Sequence, residues 1–392
     1  MIPFPRAAAL CASLSAATLG LSLAGCGGRD APGPFLGCAP AGAPLAMAVG
    51  ARANSPGPDI SAEGALINGA AKAREQITLI RIDGTPQPAY SGAFTTTDTT
   101  SAAVQTDLSK YLARIEAVFT GPIHARAGGA DVLGALTLAA QSTSPGGNVV
   151  VIDSGLQTVA PLDFRQGGLL SASPGDVVTF LRKQHLLPDL GGRHVILAGF
   201  GNTAAPQPRL DLAQRRNVAD IWRQIALAGG AACVRLDTRP DGSPAVTGVP
   251  PVGIVPVPKP PTIRACGTTI LNADNHVNFV ANKAVFIDPG GARATLAQLA
   301  GKMRTGGQRV ELIGSTATWG PVASRITLSE RRAEAVKREL VSLGIAASRI
   351  HTQGDGSNWP GRVPDIGPGG VLLPGPAAAD RAVIAQLTCP AG

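Results

Sequence analysis

The sequence predicts two αβ units. The first is a doubly wound, mainly parallel α/β sheet over residues 44–239, and the second a smaller α+β unit of order βαβαββ over 266–389. Three observations carry this reading. Strand-like and helix-like segments alternate from about residue 44 to 237, the pattern of a parallel sheet with helices on both faces. A proline-dense stretch at 240–265 then breaks the pattern, because its eight prolines cannot join a sheet interior. After it the alternation resumes and runs to Cys389.

The elements follow in order. LAMAVGA at 45–51 is a compact apolar strand, and SAEGALINGAAKAREQ at 61–76 is a helix with Ser61 as its cap. ITLIRID at 77–83 is a strand. The helix at 104–119 repeats Leu108, Leu112, Ile115 and Phe119 at helical spacing. ADVLGALTLAAQ is a further helix, and NVVVID at 148–153 a buried strand. GDVVTFLRKQHLL is helical, HVILAGF at 194–200 a strand, and LAQRRNVADIWRQIALAGG a helix closed by Gly229 and Gly230. AACVRL is the last strand of the first unit. The proline-dense stretch reads as an extended spacer of up to roughly 3 Å per residue. In the second unit VNFVANKAVFIDPGGARATLAQLAGKMR passes from strand through a turn at Asp288 and Pro289 into a helix. RVELIGST is a strand, ASRITLSERRAEAVKRELVSLG a helix stopped by Gly344, SRIHTQGDGSNWP a strand entering a Gly-rich loop, and AADRAVIAQLTC the final strand.

The net charge of +8 suits polyanions in general, but aromatic residues make up only 4% and none interleave with a Lys/Arg run. A nucleic-acid partner is therefore not expected. His124, His185, His194, His276 and His351 form no paired metal spacing, and no nucleophile-elbow motif is present. The two glycines of AGFGNTAAP are too little to indicate a nucleotide. The sequence calls for no cofactor and no catalytic centre.

The first residues, MIPFPRAAALCASLSAATLGLSLAGC, place Arg6 ahead of an apolar run of small residues. That is a secretory signal over 1–25 rather than part of the fold. Leu23, Ala24, Gly25 and Cys26 resemble a bacterial lipoprotein cleavage box. The resemblance implies that Cys26 becomes the first residue and carries lipid on its sulfur, tying the chain to a membrane; two acyl chains anchor durably where one is marginal. The alternative is an uncleaved apolar anchor. Residues 26–43 read as a flexible tether.

Outside the cytoplasm cysteines are candidates for disulfides. With Cys11 in the leader and Cys26 lipidated, Cys38, Cys233, Cys266 and Cys389 remain, and four cysteines allow three pairings. Cys38 and Cys233 bracket the first unit, Cys266 and Cys389 the second. The expectation is one bond for each, the alternative being that some stay buried thiols.

The second unit resembles the OmpA-like domain, the module that binds peptidoglycan. Phe279, Asn282, Ala284, Phe286 and Pro289 match its first motif. Gly314, Ser315, Thr316, Ala317 and Gly320 stand where the family has G-H-T-D-x-x-G. Leu328, Ser329, Arg332, Ala333 and Val336 match L-S-x-x-R-A-x-x-V without gaps, and Gly354, Gly356, Ser357 and Pro360 match the loop that follows. Asp380, Arg381, Ala382 and Val383 stand at the terminal N-R-R-V. The resemblance implies a site for the diaminopimelate of the stem peptide, with an acid for its ammonium and an Arg fork for its carboxylate. Here Arg332 is kept, Ala317 replaces the acid, and Arg325 stands seven residues earlier on the same helix face. One negative charge is lost and one positive charge gained, which favours anions over ammonium. Three readings follow for a site that includes Arg332, Arg325, Thr316 and Ala317: peptidoglycan binding through Arg332 and backbone groups with a substitute acid such as Asp355 or Asp365; binding of another wall anion; or a vestigial site.

The first unit is similar to a von Willebrand factor A domain in element order. That family holds Mg²⁺ on three oxygen-bearing sets. Here only Asn54 and Ser55 follow the first strand, Ala130 replaces a Thr, and Asp153 alone keeps its place. No metal site is therefore expected, and Asp153 reads as a turn residue. A protein partner could still bind at the C-terminal ends of the strands.

Overall fold

The computed structural model describes residues 37–239, 242–259 and 262–389. The first unit runs β1 (Leu45–Val49), α1 (Gly64–Lys72), β2 (Ile77–Arg81), β3 (Gln87–Gly92), α2 (Ser101–Phe119), α3 (Val132–Gln141), β4 (Asn148–Ile152), α4 (Pro174–Lys183), β5 (His194–Ala198), α5 (Leu212–Ala228) and β6 (Cys233–Asp237). Its sheet has the order β3-β2-β1-β4-β5-β6. All neighbours are parallel except β3, which runs antiparallel to β2.

Side chains alternate between the two faces of a strand, and here both faces are buried. Ala46 and Ala48 of β1 face a core with Leu136 of α3, Leu181 of α4 and Trp222 of α5. Leu45, Met47 and Val49 face a second core with Ile67 of α1 and Leu108 and Ile115 of α2. Strands covered on both sides read as continuous apolar runs, and β1, β2 and β4 are buried at every position. Caps set the helix starts. Asp211 and Gln214 form a reciprocal box at α5, and Asp131 caps α3 through the Gly134 amide.

Two elements differ from expectation. α1 begins at Gly64 rather than near Ser61. The Asp59 carboxylate accepts the Ser61 amide at 2.9 Å, and this local turn holds the chain out of helix for a few residues. β3 was not expected at all, since Pro88 and Gly92 disguise it; an edge strand tolerates proline because one row of its amides faces outward.

The second unit runs β7 (Gly267–Leu271), α6 (Pro289–Gly306), β8 (Arg309–Gly314), α7 (Val322–Ser342), β9 (Ile350–Gly354), β10 (Ile366–Gly367), β11 (Val371–Leu372), α8 (Pro374–Asp380) and β12 (Val383–Thr388). Its main sheet has the order β7-β12-β8-β9, with β12 antiparallel to both neighbours and β8 parallel to β9. The first strand lies ten residues earlier than expected. Residues 277–287 instead form a loop closed by one bridge between Phe279 and Phe286, whose rings stack at 4.9 Å. His276 and Asn282 turn this loop in the left-handed region, which short polar side chains tolerate. The expected final strand also starts later, since the short helix α8 opened by Pro374 takes its first three residues.

Disulfides join Cys38 to Cys233 and Cys266 to Cys389, with Cα atoms 5.7 and 5.5 Å apart. Both pairings are those expected, each closing one unit.

The proline-dense stretch does not span free between the units over 242–259. It lies along the first unit. Gln207 holds Val255 through both backbone groups, at 2.8 and 2.9 Å. The Asn54 amide donates to the Val252 carbonyl at 2.9 Å, and Gly57 donates to Pro244 at 3.0 Å. Val252 and Val255 are buried. The physical reason is in the sequence: valines set among prolines give an extended strap an apolar side to bury, and side-chain amides supply the hydrogen bonds that proline cannot donate.

Candidate functional site

Helix α7 carries the site, and two glycines set its position. A Cβ at Gly314, the last residue of β8, would lie 2.0 Å from the Ser329 carbonyl oxygen. A Cβ at Gly354, ending β9, would lie 2.6 Å from the backbone of α7. Glycine at both strand ends lets α7 lie directly across them. The inner face of the helix then presents Ser329 and, one turn on, Arg332.

Arg332 is 3% exposed. Its Nε donates to the Lys283 carbonyl at 3.2 Å, and its guanidinium lies 5.1 Å from the centre of the Phe279 ring. The loop that replaced the expected strand therefore cradles this side chain. Among the described residues no carboxylate pairs with it. Burial, and secondarily the charge of Arg381, push its pKa down to about 10, so it stays a cation at neutral pH.

The neighbouring groups are held but not satisfied. The Ser315 amide donates to Ala382 at 2.8 Å and the Thr316 amide to Gly356 at 2.7 Å. Gly356 in turn donates to the Ser329 hydroxyl at 2.9 Å. Among the described residues the side-chain oxygens of Ser315 and Thr316 are buried without a partner, as is Nε of the half-buried Arg325. A buried polar atom left unpaired costs on the order of 1–3 kcal/mol, so such a group invites a ligand.

Ala317 stands where the acid was expected. It is 4% exposed and packs against Leu372 and Ala377. The substitute acids divide. Asp365 is committed elsewhere: it accepts the Thr318 amide at 2.6 Å and pairs with Arg362. Asp380 is engaged by the same Arg362 at 3.2 Å and by the Val363 amide at 2.8 Å. Asp355 is half-buried, and among the described residues its carboxylate accepts only from Gln353, at 2.5 Å. Arg362 was missed in the sequence, and Arg381 was noted only as part of the terminal motif. Arg362 stands three residues before Asp365 in a Pro/Gly-rich stretch, a spacing that could have suggested the pair.

At the strand ends of the first unit the structure adds a partner for Asp153. It accepts the Gly155 amide at 2.7 Å, the turn role expected of it. It also holds Arg52 at 2.8 and 2.9 Å, and both side chains are buried. Gly50 leaves room for this pair, since a Cβ there would meet the Asp153 carboxylate at 1.9 Å. A guanidinium therefore stands on the one expected oxygen ligand. Ala130 donates its amide to Thr158, and Asn54 is spent on the strap. Among the described residues no three His, Cys, Asp or Glu gather as metal ligands. Cys26 lies outside the described residues.

Residues 279–363 match the model of the OmpA family. Outer membrane protein A of Bordetella avium is 38% identical over 114 residues, which cover 28% of this chain. The chain spans 57% of that relative's length. Among solved structures, the peptidoglycan-associated lipoprotein of Burkholderia pseudomallei is 18% identical over 32% of this chain and 92% of its own, with a TM-score of 0.24. The cell wall anchor of the T6SS from Pseudomonas aeruginosa is 18% identical over 31% of this chain and 81% of its own, with a TM-score of 0.25. Among the described residues no helix is long and apolar enough to cross a membrane.

Proposed function

We propose that this chain is a non-catalytic lipoprotein of the cell envelope that ties a membrane to peptidoglycan. Lipid on Cys26 provides the membrane end, and the OmpA-like unit provides the wall end. The observation that carries the reading is Arg332, a buried cation without an acid, beside unpaired hydroxyls, inside the segment that matches the OmpA family. A guanidinium in this state is completed by a carboxylate, which the stem peptide supplies. Thr316 and Arg325 add a donor each at the same place. Asp355 is the acid left to meet an ammonium.

The runner-up is an envelope scaffold with a vestigial site, whose first unit binds a protein partner. The coverage of Ala317 by Leu372 and Ala377 favours it. Sedimentation of the full chain with insoluble peptidoglycan at low salt separates the two. The tether reading expects the protein in the pellet and Arg332→Ala in the supernatant. Protein in the supernatant for both would leave the scaffold reading.

A further inference from the structure

Residues 371–381 form a cover with two working faces. On the inner face Leu372 and Ala377 pack on Ala317, and Asp380 anchors the Arg362 loop. On the outer face the same segment meets the first unit. Ala378 is part of that unit's core. The Gly375 carbonyl lies so close to Gly168 that a Cβ there would sit 2.1 Å from it. Arg381 forms an ion pair with Asp176 of α4 at 2.5 Å, a close charge contact rather than an aligned hydrogen bond. Two further contacts join the units: Ser171 to Asp274 at 3.2 Å, and Lys183 over the Trp319 ring at 5.3 Å.

The cover thus lies between the first unit and the loop that carries Ser315, Thr316 and Ala317. Beneath it lies Ala317, next in the chain to the buried hydroxyls of Ser315 and Thr316, while Arg332 is buried under the neighbouring Phe279–Phe286 loop. The cover closes the Ala317 side of the site, where the ligand's ammonium end would lie, and its Arg381 is near enough to Arg332 to weigh on that charge. One of the contacts that hold it down is partly exposed: the Arg381 and Asp176 side chains keep 27% and 21% of their surface.

We propose that docking of the first unit holds this site shut, so that docking and wall binding exclude one another. The proposal rests on the wall-binding reading above. It makes the first unit the regulator of the second: whatever draws the units apart raises affinity for the wall, and by linkage the wall draws the units apart. The partner-facing surface of the first unit then has a mechanical consequence.

The test is a binding isotherm of the full chain on insoluble peptidoglycan, comparing the wild type with Asp176→Lys. Asp176 lies in the first unit, away from the site, and the exchange turns an attraction to Arg381 into a repulsion. A partly exposed pair is a weak one, so the expected gain in affinity is about five- to tenfold. Equal affinities would overturn the gate and leave wall binding intact. No sedimentation by either protein would overturn the wall-binding reading and the gate with it. Should the variant misfold, small-angle scattering on the wild type decides alone. A soluble stem-peptide fragment that is bound should enlarge the radius of gyration, and an unchanged radius refutes the gate.

Discussion

Replacing Arg332 with methionine should stabilise the fold while removing the ligand contact. The magnitude follows from the site. Burial and, secondarily, Arg381 lower the pKa of Arg332 from the ordinary guanidinium range to about 10, which at 1.36 kcal/mol per tenfold step weighs about 3 kcal/mol against the charged form. That cost is present at every pH below about 10 and is relieved only as pH rises from there towards the ordinary guanidinium pKa. Against it stand the stack on Phe279, worth about 1 kcal/mol, and one long hydrogen bond to Lys283, worth about 1 kcal/mol. Methionine keeps the apolar stem against Phe279 and adapts to the space. The net expectation is a gain of about 1 kcal/mol, or roughly 3 °C in Tm. Thermal unfolding followed by circular dichroism, with urea titration as a check, measures it. A loss of more than about 2 kcal/mol would refute the reasoning, because Arg332 would then be a structural residue rather than a charge held for a ligand.

Other perturbations read other parts of the account. Glu63 is fully buried with both carboxylate oxygens unpaired, and burial raises its pKa to about 7. Between the ordinary 4.5 and about 7 the unfolded chain has released this proton while the folded one keeps it, so stability falls as pH rises through that window. Glu63→Gln should flatten that slope and stabilise the chain at pH 8 by about 3 kcal/mol, read from urea midpoints at pH 5 and 8. Gln207→Ala should free the strap: two hydrogen bonds to Val255 are lost and its backbone is left unpaired, a cost of about 2–4 kcal/mol. Limited proteolysis should then cut within 242–259, where the wild type resists.

Local signals made much of this fold legible. The alternation of apolar runs and amphipathic segments located the five parallel strands of the first sheet. Gap-free spacing from Leu328 to Val336 singled out Arg332 on α7, and bracketing cysteines identified both disulfides. Signals that depend on distant contacts were hidden. β7 was missed because GTTIL is short and only half apolar, while the Phe279–Phe286 loop is richer in strand formers. The strap was taken for a spacer because proline density masks the valines that bury. The Arg52–Asp153 pair joins residues 101 apart, with no local pattern to announce it. The cover is the clearest case. Its alanines, Ala377 and Ala378, reveal their two roles only when Ala317 lies on one side and the first unit on the other.

The central claim is that Arg332 holds a carboxylate of the wall. Titration calorimetry tests it most directly, using two soluble stem-peptide fragments that differ only in whether the diaminopimelate carboxylate is free or amidated. The account predicts that the full chain binds the free acid at least tenfold more tightly, and that Arg332→Met abolishes the difference. Equal affinity for the two fragments, or a preference that survives in Arg332→Met, would contradict it.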